Sequence, residues 1–433
     1  MERTLAAELP SRVDQQVRLS GWVHRVRSLA KVSFLILRDA SGLAQVVIDD
    51  PDVMEQVAGI PVESVVEVVG RVEANEQAPS GAEVHSPTVE LVSPSVDLPP
   101  FDLYRPQVKA NLPTVLDHAT VALRHPRLRA GFEIAAASVA GFRSTLDGLG
   151  FTEVQTPKIV ASATESGANV FRIDYFGRPA FLAQSPQFYK QIMVGVFERV
   201  YEVGPVFRAE RHDTARHLSE YVSLDVELGF VEDHHTVMAV VRDVIAGMVE
   251  AVRTKAAAAV DRLGVELPDV PAEIPEVHFW DAQRLISQDT GEDLSEEPDL
   301  APAHERWLCD WAQREHGSEL VFVTGFPAAK RPFYTHPDPT RPGSTNGFDL
   351  LFRGLELITG GQRLHRYDDY VEALRARGED PEHYAGYLQA FRYGMPPHGG
   401  FALGLERWTA RLVGAQNIRE TTLFPRDLNR LEP

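Results

Sequence analysis

Two hydrophobic rhythms divide the chain. Over the first hundred residues apolar and polar positions alternate in short β-branched runs: Val17–Val26, Val32–Arg38, Ala44–Ile48, Glu63–Val69 and Thr88–Val92. Period-two patterning of this kind predicts strands, and Asp39-Ala-Ser-Gly42 supplies a turn between two of them. A short helix fits Asp52–Ala58, between the third and fourth strands. Residues 96–130 carry prolines at 99, 100, 106, 113 and 126 with little periodicity, which predicts a linker or hinge. From Gly131 the spacing lengthens. Phe132, Ala136, Val139, Phe142, Leu146 and Leu149 recur three and four apart, an amphipathic helix closed by Gly148 and Gly150 and followed by a strand running to Pro157.

Five strands with one helix in that position predict a small barrel of OB type over residues 1–95, a fold whose open face binds single-stranded nucleic acid. Phe34 is the candidate stacking platform and Gln45 the candidate reader of a base edge; a core position is the alternative for Phe34. Farther on, Tyr221–Leu228 alternates cleanly. Val222, Leu224, Val226 and Leu228 face a core, and Tyr221, Ser223, Asp225 and Glu227 line the other surface. That surface is either a pocket floor or a solvated face. Ser185-Pro186 opens a helix that puts Gln187 and Lys190 on one side. Phe348–Leu357 reads as a hairpin turning at Arg353-Gly354, with Glu356 opposite Leu351 and Asp349 its diagonal neighbour, roughly 7–8 Å away. Oxygen ligands so placed suit Mg²⁺ bound to phosphates. Residues 231–335 offer a helix from His234 to about Arg262, and an inserted helical subdomain is expected over about 265–335.

Composition alters this picture in two places. A net charge of -19 argues against non-specific nucleic-acid binding, but Arg12, Arg18, Arg25, Arg27, Lys31 and Arg38 fall within one stretch whose only acid is Asp14. The single cysteine, Cys309, excludes a disulfide framework and a cysteine metal cluster, which fits a reducing cytosol. The opening residues carry no basic-then-apolar signal pattern, and the longest apolar run, Ile134–Phe142, is far short of a membrane span. We therefore expect a cytoplasmic protein with no membrane partner.

The most chemically pointed stretch is Met395–Trp408, in which a Pro-Pro corner leads to Gly399, Gly400 and Gly404 and then to Glu406-Arg407 before a helix. Glycines at a strand-to-helix junction admit a ligand to the backbone, and a helix N-terminus favours anions. With Phe207-Arg-Ala-Glu210 and Gly150–Pro157, this stretch resembles the three ordered motifs of class II aminoacyl-tRNA synthetases, and the resemblance runs across nearly the whole chain, nearest to the aspartyl-/asparaginyl branch. It implies an α+β chain: an anticodon-binding OB barrel (1–95), a linker or hinge (96–130), and a catalytic domain (131–433) built on an antiparallel sheet flanked by helices.

The resemblance also implies roles. Phe34 and Gln45 would grip the middle anticodon base. Arg208 would bridge the amino-acid carboxylate and the α-phosphate of ATP, and Arg407 would hold the γ-phosphate side and cover the adenine. Glu210, Arg216, His217, Leu218, Tyr221 and Gly404 complete the ATP site, with Asp349 and Glu356 as the Mg²⁺ pair. Pro157 would lie on the axis of a homodimer. Ala402 stands where the family often has glycine.

Amino-acid choice is the sharper question. A β-carboxylate is told from a β-amide by cations, because an amide facing them would strand buried charge. Lys190 and Arg363 supply two, with Asp225 orienting Lys190. Asparaginyl relatives are usually apolar at the lysine position, so Lys190 implies L-aspartate. Glu165 and Gln187 would hold the ammonium, with Thr359 near the substrate. His24 and Pro79 stand where enzymes restricted to tRNA(Asp) tend to carry tryptophan and lysine. A ligase that also charges tRNA(Asn), feeding an amidotransferase, is therefore expected. The rival readings are an asparaginyl-tRNA synthetase, an asparagine synthetase of similar build (which would lack the barrel), and a non-catalytic RNA-binding relative.

Overall fold

The computed structural model describes residues 1–161, 170–209 and 214–432. It resolves into two compact units, Met1–Pro126 and Arg127–Pro433. In the first, β1 (Gln16–Ser28), β2 (Ser33–Arg38), β3 (Leu43–Ile48), α1 (Pro51–Ala58), β4 (Val65–Ala74) and β5 (Ala82–Ser93) make a closed barrel in the order β1-β2-β3-β5-β4. The five predicted strands and the intervening helix are all present. α1 starts where it does because the Asp50 carboxylate accepts from the backbone N–H groups of Asp52 and Val53, with Pro51 opening the helix. Inward positions Leu19, Val23, Leu35, Leu37, Val46, Val66, Val68 and Val84 fill the barrel.

One irregularity redirects a side chain. Between Val23 and Arg25 the β1–β2 register slips by one residue, and the extra residue is His24. This bulge turns the imidazole inward, where its Nδ1 lies 3.2 Å from Arg38 Nη1. Arg38 in turn makes two 2.8 Å bonds to the Glu63 carboxylate, which also accepts from Arg124 Nη1 at 3.1 Å. Burial would raise the Glu63 carboxyl, but Arg38 and then Arg124 outweigh it and hold the group below the usual carboxylate range. Of the 96–130 stretch, read from sequence as a linker or hinge, all but the last four residues lie within this unit. It holds α2 (Leu112–Asp117) and α3 (Ala119–Ala122), and Arg25 sits 4.5 Å over the Tyr104 ring.

The second unit begins with α4 (Pro126–Gly148), one turn earlier than its periodicity predicts because Pro126 can open a helix. It continues through β6 (Thr152–Glu153), a small sheet of β7 (Ile159–Val160), β8 (Arg172–Tyr175) and β9 (Arg178–Leu182), then α5 (Gln187–Phe197), β10 (Arg199–Phe207), β11 (Glu220–Gly229), α6 (His234–Lys255) and α7 (Ala257–Leu263). The single helix expected from His234 is thus two, parted at Ala256. Then follow β12 (Glu276–His278), α8 (Phe279–Thr290), α9 (Pro302–His316), β13 (Leu320–Thr324), β14 (Gly347–Phe352), β15 (Leu355–Arg363), α10 (Tyr367–Ala376), α11 (Ala385–Leu388), β16 (His398–Gly404) and α12 (Leu405–Val413).

Eight described strands form one sheet in the order β12-β13-β14-β15-β16-β11-β10-β6, antiparallel through its middle and parallel at both edges. The 265–335 stretch differs from a separate helical insert: β12 and β13 extend this sheet, and α8 and α9 pack on them around Phe279, Ile286, Leu308 and Phe326. One face of the sheet carries the main core, where Leu224, Val226, Phe348, Ile358 and Phe401 meet α4 and α6. The two helices approach closely enough at Gly141 that a Cβ there would lie 2.6 Å from the Gly247 carbonyl.

Removing the Glu63 carboxylate leaves Arg38 charged and buried. Glu63→Ala is expected to destabilise the barrel by about 3–5 kcal/mol. Urea unfolding followed by hydrogen exchange in peptides from 16–93 measures it, and a loss below about 1 kcal/mol would show that the cluster contributes little.

Candidate active site

The sheet's opposite face is not solvated. On β11, Ser223, Asp225 and Glu227 are as buried as the apolar residues between them. The structure therefore decides for a pocket floor, and the floor is held together by charge. Lys190 reaches over from α5. Its ammonium donates to Asp225 Oδ1 (3.0 Å), to the Phe401 carbonyl (3.0 Å) and to the Val226 carbonyl (3.3 Å), and lies 3.4 Å from Glu227 Oε2. Arg363, at the end of β15, donates from Nε to Glu227 Oε1 (3.0 Å) and from Nη2 to the Gly400 carbonyl (2.9 Å), and lies 5.5 Å over the Tyr334 ring. Burial pushes the Glu227 carboxyl upward, yet Arg363 and Lys190 prevail and keep it below the usual range. Ser223 Oγ closes the set with a bond to Asp225.

Above this floor lies a cavity of about 350 Å³. Arg208, Gln187, Arg216, His217, Leu218, Tyr221, Glu356, Thr359, Arg363, Gly404 and Arg407, all singled out from the sequence, line it. Lys190 and Asp225 do not. They sit one layer below, because the ammonium is drawn down to Asp225 and two carbonyls. Of the two cations expected to face the substrate only Arg363 does so directly, and Lys190 reaches it through Glu227. Glu165 and Glu210 fall outside the described residues.

The two carboxylates read as a metal pair differ in surroundings. Glu356 lines the cavity, accepts from Thr359 Oγ1 (3.0 Å) and faces Arg407 Nη1 (3.6 Å). Asp349 lies behind the wall with Oδ2 held by Arg331 Nη2 at 2.8 Å, while its buried Oδ1 has no hydrogen-bond partner among the described residues. Burial, with the like charge of Glu356 adding to it, pushes the Asp349 carboxyl up to about 7 against the pull of Arg331. The hairpin register behind this is the one read from the sequence, Leu351 opposite Glu356, but a bulge at Leu350/Leu351 sets Asp349 across from Thr359. An orphaned carboxylate oxygen, a second carboxylate and a hydroxyl form an oxygen-only donor set, which fits a hard divalent cation.

Glycine explains the rest of the floor. A Cβ at Gly400 would fall 2.1 Å from both Glu227 Oε2 and the Val226 carbonyl, so β16 can lie against the charged strand only without a side chain there. Gly404 is different. A Cβ there would make only ordinary contacts, at 3.7–3.8 Å with Arg407 and Tyr221, so the protein's own packing leaves this glycine's space toward the cavity. Arg208 lies 5.8 Å from the centre of the Tyr221 ring.

Sequence reasoning missed Arg331, Tyr334 and Thr335, which line the cavity from an irregular run between β13 and β14. Only the Arg-Pro-Phe-Tyr cluster could have flagged them. In the barrel, Phe34 is half-buried with Arg27 6.0 Å above its ring, and Leu35 and Leu37 fill the interior instead. Gln45 donates to Glu83 Oε2 at 2.8 Å, a partner also unforeseen. Arg38 is buried and drops out of the basic surface. His24 is buried as well, brought to about 4 by burial and then by Arg38, so it stays neutral; Pro79 is exposed in the β4–β5 turn.

Comparison with known proteins places these features. Residues 111–428 match the model of class II tRNA synthetases (D, K and N), and residues 17–92 match that of the OB-fold nucleic acid binding domain. The chain is 46% identical to an aspartate–tRNA(Asp/Asn) ligase of Deinococcus radiodurans, covering 100% of this chain and 99% of the relative. It is 45% identical to one of Thermus thermophilus, covering all of both. An asparaginyl-tRNA synthetase of Pyrococcus horikoshii solved with asparaginyl-adenylate superposes with a TM-score of 0.93, at 31% identity and full coverage of both chains.

One buried acid of the site yields a pH prediction. Glu406 accepts from the Val222 backbone N–H with both oxygens at 3.1 Å, and burial lifts its carboxyl to about 7. An acid raised on folding binds its proton more tightly when folded, so stability falls as pH rises from about 4.5 to 7. Glu406→Gln is expected to match the parent near pH 4 and to exceed its stability by about 2–3 kcal/mol at pH 8. Denaturation at the two pH values checks this, and equal differences at both would reject it.

Proposed function

Because the chain belongs to the class II tRNA synthetases of the aspartate, lysine and asparagine group, we propose that it activates L-aspartate with ATP and transfers it to tRNA(Asp) and also to tRNA(Asn). The observation that carries the choice of amino acid is Arg363, a buried guanidinium that opens on the same cavity as Arg208 and Arg407. A carboxylate there meets the cavity-facing edge of the guanidinium with a full charge, where an amide offers only a dipole.

In the first step a carboxylate oxygen of aspartate attacks the α-phosphorus, the bond to the bridging oxygen breaks, and pyrophosphate leaves. In the second, the terminal ribose hydroxyl of tRNA attacks the aspartyl carbonyl and AMP leaves. Neither step asks for a protein nucleophile. Both require alignment and neutralisation of growing negative charge, which the cations lining the cavity supply. Arg208 serves the α-phosphate, Arg407 the outer phosphates, and Tyr221 with the open Gly404 backbone the adenine. Glu356, with Thr359 beside it and Asp349 behind, would hold Mg²⁺, which when bound neutralises phosphate charge. Gln187 and Arg363 orient the amino acid, while Lys190 and Asp225 act from beneath by fixing Glu227 and Ser223.

In the barrel, Phe34 and Gln45 would take the middle anticodon base, with Glu83 setting the direction of the Gln45 amide. His24 is buried against Arg38, so its part in accepting tRNA(Asn) runs through Arg38 and Glu63. We place the protein in the cytoplasm as a homodimer that hands Asp-tRNA(Asn) to an amidotransferase. An asparaginyl-tRNA synthetase is the weaker reading, because the fold is shared by both and the cation at the cavity is not required by an amide.

ATP–pyrophosphate exchange is expected to respond to aspartate and not to asparagine; the reverse would overturn the assignment. Arg363→Lys keeps a charge beside Glu227 but loses the planar fork, and is expected to lower kcat/KM for aspartate roughly a hundredfold. Aminoacylation of the two purified tRNAs with aspartate is expected at comparable rates. A large preference for tRNA(Asp) would refute the dual specificity.

A further inference from the structure

Thr335 lines the cavity, is only 8% exposed, and follows Tyr334 in the irregular run between β13 and β14. Its hydroxyl oxygen is enclosed, and among the described residues it has no hydrogen-bond partner. Folded proteins leave few buried hydroxyls unpaired, and an unpaired one at the wall of a binding cavity marks a place where a ligand completes the bonding. The backbone around it is fixed. Thr335 N–H donates to the Pro332 carbonyl at 3.0 Å, and Thr335 forms an antiparallel bridge with Arg363. Residues facing each other across such a bridge put their Cβ atoms roughly 4.5–5.5 Å apart on the same face. Thr335 therefore lies next to Arg363 on the same face, the residue whose guanidinium we assign to the substrate's side chain.

Arg363 commits Nε to Glu227 and an Nη2 hydrogen to the Gly400 carbonyl. A carboxylate bound at this arginine has about four lone-pair sites to fill, more than that guanidinium supplies after these commitments. We propose that Thr335 is a substrate-binding residue, donating its hydroxyl hydrogen to the side-chain carboxylate of the amino acid held by Arg363. This rests on the aspartate-activating reading above. Because the hydroxyl has no internal bond to break, a ligand can turn its hydrogen about the Cβ–Oγ bond at little cost, and its loss leaves no described protein group unpaired.

The test uses Thr335→Val and Thr335→Ser in the full-length protein, with wild type alongside, in aspartate-dependent ATP–pyrophosphate exchange. Valine keeps the shape and removes the hydroxyl; serine keeps the hydroxyl. Thr335→Val is expected to raise KM for aspartate roughly ten- to a hundredfold, with KM for ATP and the melting temperature unchanged. Thr335→Ser is expected to recover most of that loss. The proposal is overturned if the valine variant binds aspartate within twofold of wild type, or if serine is no better than valine. A joint shift in aspartate KM, ATP KM and melting temperature also overturns it, since that pattern belongs to a structural residue. If wild type itself fails to respond to aspartate, the functional reading falls and takes this one with it; failure of the variants alone leaves the functional reading standing.

Discussion

The buried carboxylate of Glu227 is the constraint on which the catalytic unit depends. It lies within the sheet, fully enclosed, and is shared by a lysine from one helix and an arginine from β15, two strands away across β16. An ion so placed costs several kcal/mol in lost hydration, and only close opposite charge with fixed geometry compensates. Three otherwise separate elements, α5, β11 and β15, are thereby tied to one point. Gly400 follows from the same requirement, since any side chain there would collide with the carboxylate. A glycine read from sequence as an entrance for ligand turns out to make room for the protein's own charge.

The nucleotide part of the cavity is built on looser terms. Arg407 and Glu356 are each about a third or more exposed and 3.6 Å apart, against the nearly inaccessible floor. Exposed pairs of this kind contribute little to stability, so these two are available to rearrange around phosphates and a cation. Rigid recognition of the amino acid and adaptable recognition of a polyphosphate thus stand side by side in one cavity. The boundary between them is Thr359, which bonds Glu356 while sitting opposite Asp349.

What the sequence disclosed follows from which physical signals are periodic. The barrel strands, β11 and the β14–β15 hairpin were legible because alternation is imposed by burial on one face, and the hairpin register came out correctly at Leu351/Glu356. The burial of Ser223, Asp225 and Glu227 was not legible, since polar residues on a strand look alike whether they meet water or counter-ions. Two bulges, at His24 and at Leu350/Leu351, were invisible for a related reason: a one-residue slip leaves composition and spacing unchanged. Arg331, Tyr334 and Thr335 were missed because their run between β13 and β14 has no period to read. The motifs identified Arg208 and Arg407, and the family resemblance added Arg363, but neither could say that Lys190 would be drawn below the floor.

That displacement sharpens the account of selectivity. Lys190, Arg363, Asp225 and Glu227 sum to no net charge, so an excess of positive charge is not what favours an acidic side chain. Position does. The guanidinium of Arg363 borders the cavity while Glu227, Asp225 and Lys190 lie behind it. A ligand carboxylate therefore meets the nearest cation at contact distance and the anions only through intervening atoms. In a medium of effective dielectric near 20, unit charges at 4 Å interact by about 4 kcal/mol, and by about half that at 8 Å. The imbalance is enough to attract an anion and too small to leave the empty site with an unmatched charge. A floor that is neutral overall yet polarised toward the cavity can thus remain folded without substrate and still prefer a carboxylate to an amide.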